Sequence, residues 1–394
     1  MTGEIVGKRA NEYTLLSLTT NGVVVRDVES GKGKFPKEFD NYQVVKPNEL
    51  VFCLFDIDET PRTVGLVKKE GMLTGAYTAF KVNKCLASPQ FVYYYYLAVD
   101  NIKGLRPFYS GLRKTVRADK FLQIYIPLPP LAEQERIVSF LEDKTSKIDA
   151  YVAEKEKEIL LLQELKKKTI ADAVTKGLNP DVKMKDSGIS WIGMIPEHWE
   201  TKRIASLFLG KVDANADFKY HHAFKFYYGT LVPKNEVGDI EEYKDTYVKY
   251  SVLKKDDIII NGLNLNYDFV SQRVAIAPSD GIITSAYVVV RPRKATNAQY
   301  YNNLFKTMDN MKLFHGMGTG IRLTLSFDEL KKQIVVVPPK DEQRAIVAYI
   351  EEKCQKIDTL MTELQAEIDY MKEYKQRLIA DCVTGQVNVQ NETI

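Results

Sequence analysis

The stretch Pro129–Thr175 reads PPLAEQERIVSFLEDKTSKIDAYVAEKEKEILLLQELKKKTIADAVT. It returns 209 residues later, Pro338–Thr384, as PPKDEQRAIVAYIEEKCQKIDTLMTELQAEIDYMKEYKQRLIADCVT. The two align without a gap and share 21 of 47 positions. Weaker matches precede them: Gly71-Met-Leu-Thr-Gly-Ala-Tyr77 with Gly281-Ile-Ile-Thr-Ser-Ala-Tyr287, Gly111-Leu-Arg113 with Gly320-Ile-Arg322, and Tyr42–Lys46 with Tyr250–Lys254. The chain is two copies of one unit, a divergent mixed domain followed by a well-matched helix.

Each helix is announced by Pro-Pro with acidic residues behind it, a start signal through fixed φ and the macrodipole. Neither contains Gly or Pro until Gly177 and Gly385. Ile357, Met361, Leu364, Ile368, Met371, Leu378 and Cys382 fall on an alternating four–three rhythm, with Lys375 the polar exception. Ile148, Val152, Ile159 and Leu162 keep the same register, which Lys155, Lys166 and Thr169 interrupt. A stripe this narrow suits a two-helix seam or one face of a bundle helix. Two matched helices make each other the natural partner. From Phe140 to Thr175 such a helix spans ~54 Å, the length of a spacer.

Residues 1–126 and 200–333 carry short β-rich runs, among them Val23–Arg26, Leu50–Phe55, Ile258–Ile260 and Val274–Ala277. Each also holds an apolar helical stretch, near Pro89–Asp100 and Ala298–Leu313. The expected architecture is α+β, in four segments: a first domain 1–126, a helix with linker 127–185, a second domain 186–333, and a second helix with tail 334–394.

The 394 residues carry 55 Lys and Arg against 52 Asp and Glu, a formal charge of +3. That excludes a strongly basic coat or an acidic tail as a description of the whole chain. By segment, residues 1–126 are +5 and 200–333 are +4, while 127–199 are −2 and 334–394 are −4. The densest basic run holds Lys103, Arg106, Arg113, Lys114, Arg117 and Lys120 against Asp119 alone. Local clustering of this kind is what phosphate binding needs, and a solvated cationic rim is the plain alternative. Arg113 and Arg322 stand at equivalent places before the helices, where a bidentate contact to a guanine edge or phosphate is expected.

Catalytic chemistry is missing. The four histidines form no H-E-x-x-H, and no phosphate loop follows a strand. Asp56 and Asp58 read as a solvated turn. Cys53, Cys85, Cys354 and Cys382 lie far apart, as reduced cysteines of a cytoplasmic protein do. No apolar run reaches the length of a membrane span.

At this point the residues resemble a known family. Pro-Pro-x-x-Glu-Gln-x-x-Ile-Val, Lys-Ile-Asp and Ile-Ala-Asp-x-Val-Thr, in two copies, resemble the conserved regions of the specificity subunit of Type I restriction–modification systems. Ser187–Glu200, with Trp191-Ile-Gly and Pro196-Glu-His-Trp199, resembles that family's lead-in to a target-recognition domain. Phe52–Gly65 with Leu73–Tyr77 resembles one of its recognition-domain types. The resemblance implies two recognition domains separated by an antiparallel coiled coil with a pseudo-two-fold repeat. It implies a non-catalytic chain that reads a bipartite, non-palindromic site on double-stranded DNA. Two methylation subunits carrying S-adenosylmethionine and motor–nuclease subunits using ATP and Mg would join it, and it would bind no cofactor itself. The cytosol of a prokaryote is the expected location.

The DNA-contact residues expected on this reading are Arg62, Tyr77, Arg113, Lys114 and Arg117 in copy one, and Arg273, Tyr287 and Arg322 in copy two. By the 209-residue offset, the counterpart of Ser187–Glu200 falls before Met1, so a first domain short at its front is expected. The competing reading is an interaction scaffold whose coiled helices and basic domains bind proteins.

Overall fold

The computed structural model describes residues 4–26, 38–210, 213–235, 238–267, 272–294 and 296–389. The chain forms two compact units. One combines residues 1–157 with 364–394, and the other is residues 158–363. The division falls inside the long helices, not at their ends.

In the first unit, β1 (Tyr42–Val45), β2 (Glu49–Phe52), β3 (Val64–Leu66), β4 (Gly71–Thr74) and β5 (Thr78–Lys81) build two antiparallel sheets. β1 pairs with β4, Tyr42 opposite Thr74, and β2 lies between β3 and β5. β2 is buried along its whole length, and so Leu50-Val-Phe52 reads as an unbroken apolar run. Helix α1 (Pro89–Asn101) starts at Ser88, whose hydroxyl accepts from Phe91 N at 3.4 Å. Its Tyr96 meets Phe52 edge to face at 5.1 Å.

Helix α2 (Leu131–Lys176) begins directly after Pro129-Pro130 and runs unbroken for 46 residues, ~69 Å. Gln134, fully buried, closes this start. Its Nε2 donates to Pro129 O at 2.8 Å and Leu86 O at 3.2 Å, and its Oε1 accepts from Ser88 N at 2.8 Å.

The second unit repeats the plan with an addition. After a short hairpin of Met184–Asp186 with Met194–Pro196 come β6 (Glu200–Arg203) and β7 (Phe208–Leu209), a second hairpin of Phe224–Tyr227 with Thr230–Pro233, and then β8 (Ser251–Leu253), β9 (Ile258–Ile260), β10 (Val274–Ile276), β11 (Gly281–Ile283) and β12 (Val288–Pro292). β8 pairs with β11 as β1 does with β4, and β9 lies between β10 and β12 as β2 does between β3 and β5. β12 carries β7 on its outer edge, a strand with no counterpart among the described residues of the first unit. The three isoleucines of β9 are fully buried, worth about 1.5–3 kcal/mol each.

Helix α3 (Ala298–Asn310) matches α1 residue for residue, and Asn297 caps it by accepting from Tyr300 N at 3.1 Å. β13 (Ile334–Val337) pairs with β6, Glu200 opposite Val337, and leads into α4 (Lys340–Val383), 44 residues long.

Within each unit α2 and α4 run antiparallel. In the first, Lys375 Nζ meets Asp149 at 2.6 Å and Lys372 meets Glu156 at 2.9 Å. In the second, Lys166 meets Asp358 at 2.6 Å. Asp149 and Lys166 become Asp358 and Lys375 under the 209-residue offset, so the two bridges are one interaction made twice. Lys166 and Lys375, which interrupt the apolar rhythm, are therefore seam residues paired across it, while Lys155 lies over the Tyr151 ring of its own helix. Ile148, Val152, Leu364, Ile368 and Leu378 are buried; Ile159, Leu162, Ile357, Met361 and Met371 are half-buried.

Candidate nucleic-acid interface

The two basic loops before the helices adopt one conformation. Ser110 and Thr115 exchange backbone hydrogen bonds at 3.0 and 3.1 Å, and Thr319 and Thr324 do the same at 3.1 and 2.9 Å. Between them lie Gly111-Leu-Arg-Lys114 and Gly320-Ile-Arg-Leu323. The first and fourth residues are left-handed in both: Gly111 at φ +73° and Lys114 at +42°, Gly320 at +74° and Leu323 at +42°. Glycine takes that conformation freely, whereas a lysine or leucine there costs about 1–3 kcal/mol. The hairpins are therefore held by their surroundings. Arg113 O accepts from Asp56 N at 2.8 Å, and Leu323 O from Leu265 N at 3.1 Å.

The loops differ in how their charge is held. In the first unit, Arg113 pairs with Asp56 at 3.2 Å and lies over the Phe55 ring. Lys114 reaches Glu59 at 2.8 Å and Asp58 at 3.0 Å, and Arg106 reaches Asp58 at 2.7 Å. Hydrogen bonds donated to Glu59 and then Asp58 raise the Lys114 pKa, and those accepted from Lys114 and then Arg106 lower that of Asp58. Arg117 pairs with Asp119 at 3.0 Å, which holds that carboxyl below its ordinary value. The Asp56–Glu59 turn is thus a counter-charge for the basic run and not a bare solvated turn. In the second unit Arg322 is exposed and makes no ion pair among the described residues.

Arg62 and Arg273 turn inward. Arg62 donates to Asp100 and Asn101 at 3.4 and 3.3 Å. Arg273 donates to the carbonyls of Asn261, Leu263 and Asn264 at 3.0, 2.7 and 3.3 Å. The buried carboxylates Asp100 and Asp309 anchor the same loops, accepting from Thr63 N at 2.9 Å and Arg273 N at 2.7 Å. Tyr77 and Tyr287 are half-buried and lie against core clusters. Tyr77 stacks on Phe55, and Tyr287 meets Phe226 edge to face. Burial raises both phenol pKa values.

The geometry thus brings together Arg113, Lys114 and Arg117 in one unit and leaves Arg322 alone in the other, with Arg62 and Arg273 bracing the loops beside them. Beside Arg117 and Lys120 lies an open pocket of about 450 Å³, also lined by Phe108 and Ser110. Sequence reasoning missed the hairpin tips themselves, Leu112 and Ile321. The available signal was their position between the matched Gly and Arg.

At the front of the second unit, Trp199 is fully buried and donates from Nε1 to Glu342 at 2.9 Å, while His198 Nε2 meets the other oxygen at 2.5 Å. Tyr300 Oη donates to Val174 O at 2.6 Å. The Ser187–Glu200 lead-in is therefore a clamp on the first turn of α4.

The family description Type I restriction modification DNA specificity domain matches residues 53–161 and 196–370. Among curated relatives, the chain is 23% identical over 286 residues to the putative type I restriction enzyme MjaX specificity subunit of Methanocaldococcus jannaschii, covering 71% of this chain and 63% of that one. It is 23% identical over 284 residues to the EcoBI specificity subunit of Escherichia coli, covering 67% and 59%. The match thus spans about three fifths of these relatives' length. A chain solved in work on assembly and conformational transition of the type I R-M system superposes with a TM-score of 0.68 at 14% identity, covering 98% of this chain and 96% of its own. The HsdS subunit from Thermoanaerobacter tengcongensis gives 0.51 at 15% identity, covering 95% and 91%.

Proposed function

We infer that this chain, which belongs to the Type I restriction modification DNA specificity family, reads a bipartite DNA site, one half with each unit. The observation that carries this is the pair of matched hairpins, one per unit, each presenting Gly, an exposed aliphatic and Arg on a braced loop. Phosphate contacts from Arg113, Lys114, Arg117 and Arg322 position the duplex, and base edges specify it. The two units differ in sequence, so the two half-sites differ and the target is non-palindromic. The unbroken helices set the unread gap between half-sites.

Two methylation subunits dock on the helix pair. Its surface supports this, because Leu161 and Leu165 are 61% and 50% exposed and their repeat counterparts Tyr370 and Tyr374 are 65% and 43% exposed. Each unit thus offers one apolar i, i+4 pair to one copy of the same partner. Those partners carry S-adenosylmethionine and flip the target adenine for N6 methylation. Motor–nuclease subunits using ATP and Mg complete the assembly in the cytosol, while this chain is non-catalytic and binds no cofactor. Among the described residues no helix is long and apolar enough to cross a membrane. The scaffold reading accounts for the apolar pairs but not for the two cationic hairpins.

Mapping N6-methyladenine across the host genome by long-read sequencing, with and without this gene, tests the function. A two-part motif that vanishes with the gene is expected; an unchanged methylation pattern overturns it. Titration of a duplex carrying the motif should show affinity falling steeply with salt.

A further inference from the structure

Leu112 and Ile321 are 104% and 97% exposed and stand at equivalent places, 209 residues apart. A single exposed aliphatic carries no information, since much of any protein surface is apolar. Here the same exposure occurs at the same position of two hairpins whose host domains otherwise differ widely. Each side chain sits between a left-handed glycine and an arginine, Gly111 and Arg113 or Gly320 and Arg322. The space around each tip is open: a Cβ built on Gly111 or Gly320 meets nothing within 4 Å. The reciprocal hydrogen bonds at the hairpin bases hold the tips out instead of letting them fold back onto the surface.

A stiff loop that projects an aliphatic side chain beside a cation has the chemistry of a wedge. The cation meets the phosphate, and the apolar side chain replaces a base as stacking neighbour. Resting on the DNA-reading function above, we propose that Leu112 and Ile321 each insert at one base step of their own half-site and unstack it. Each half-site would then be read partly through how easily that step opens, which favours pyrimidine–purine steps.

The test uses the full chain with its methylation partner and duplexes carrying the mapped site. 2-Aminopurine is placed at one position at a time, avoiding the methylated adenines because they flip. A fluorescence rise at one step in each half-site is expected. Leu112→Ala should abolish the rise in one half only and Ile321→Ala in the other only, each weakening binding on the order of tenfold. Thermal stability should not change, since neither side chain is packed in the fold. Site-specific binding with no rise at any step, or a rise that survives both substitutions, overturns the wedge. Loss of site-specific binding by the unsubstituted complex is a different failure: it overturns the DNA-reading function, and the wedge with it.

Discussion

The two units close the same sheet from different sources. In the second, the segment before the sheet supplies β6 against β13, β7 against β12, and the buried side chains Trp199 and Phe208. Phe208 meets Phe305 of α3 at 5.5 Å. In the first, β5 is an edge strand, and residues 124–128, the counterpart of β13, pair with no strand among the described residues. Tyr125 is 97% exposed there. Around Tyr96, the repeat counterpart of Phe305, the first unit gathers Phe52 at 5.1 Å and Phe121 at 5.0 Å, with Phe80 stacked on Phe121. Where the second unit has Leu330, the first has Phe121. In both units the buried central strand packs against the helix that follows the sheet, Phe52 on Tyr96 in the first and Ile258 and Ile260 with Tyr301 and Phe305 in the second. In the second unit the front segment is a clamp laid over that core, whereas in the first Phe52, Phe80, Tyr96 and Phe121 pack on one another at the corresponding helix.

Breaking the clamp should have the largest effect. Trp199→Ala removes a fully buried indole and the donor to Glu342, and is expected to cost the second unit about 3–5 kcal/mol. Hydrogen exchange read by peptide should show the loss in residues 158–363 alone; equal loss in α1 and β2 would mean that the units do not open separately. Next come the apolar pairs. Glutamate at both Leu161 and Leu165, or at both Tyr370 and Tyr374, should each remove one methylation partner at a cost of ~2–4 kcal/mol. Native mass spectrometry would then show one partner bound, and two partners retained would refute the docking assignment.

A smaller contrast lies in the buried glutamines. Gln134 has all its groups engaged, whereas Gln343 donates to Pro338 O at 2.8 Å but its Oε1 finds no donor among the described residues. Gln134→Ala should cost about 1–3 kcal/mol and Gln343→Ala clearly less, measured by urea unfolding. Smallest are the twin bridges. Asp149→Lys or Asp358→Lys should cost roughly 0.2–1 kcal/mol, since both pairs are partly exposed, with recovery when Lys375 or Lys166 is changed to Asp in turn. Unequal costs at the two sites would show that the repeat is not energetically symmetric.

Much of this was legible in the sequence, and the limits have a physical cause. Pro129–Thr175 showed the helices because their period and caps are local. Leu50–Phe55 and Ile258–Ile260 showed strands because a strand buried on both faces is a continuous apolar run. What the sequence hid is pairing at a distance. Arg113 and Lys114 seemed free because their acids lie 57 and 55 residues upstream. Lys166 and Lys375 seemed to spoil the seam because their partners stand 192 and 226 residues away. Arg62 and Arg273 turn inward onto groups that nothing local reveals, a carboxylate 38 residues ahead for Arg62 and the carbonyls of a neighbouring loop for Arg273.

The division of the chain also sets an order of assembly during synthesis. The second unit is one continuous stretch, 158–363, and holds all its parts once that stretch has left the ribosome. The first unit is made of two pieces, and its Ile148 and Val152 have no seam partners until residues 364–378 emerge. Domains usually finish in the order in which they are made. Here the unit translated first is completed last, and its apolar helix face waits for almost the whole remaining chain.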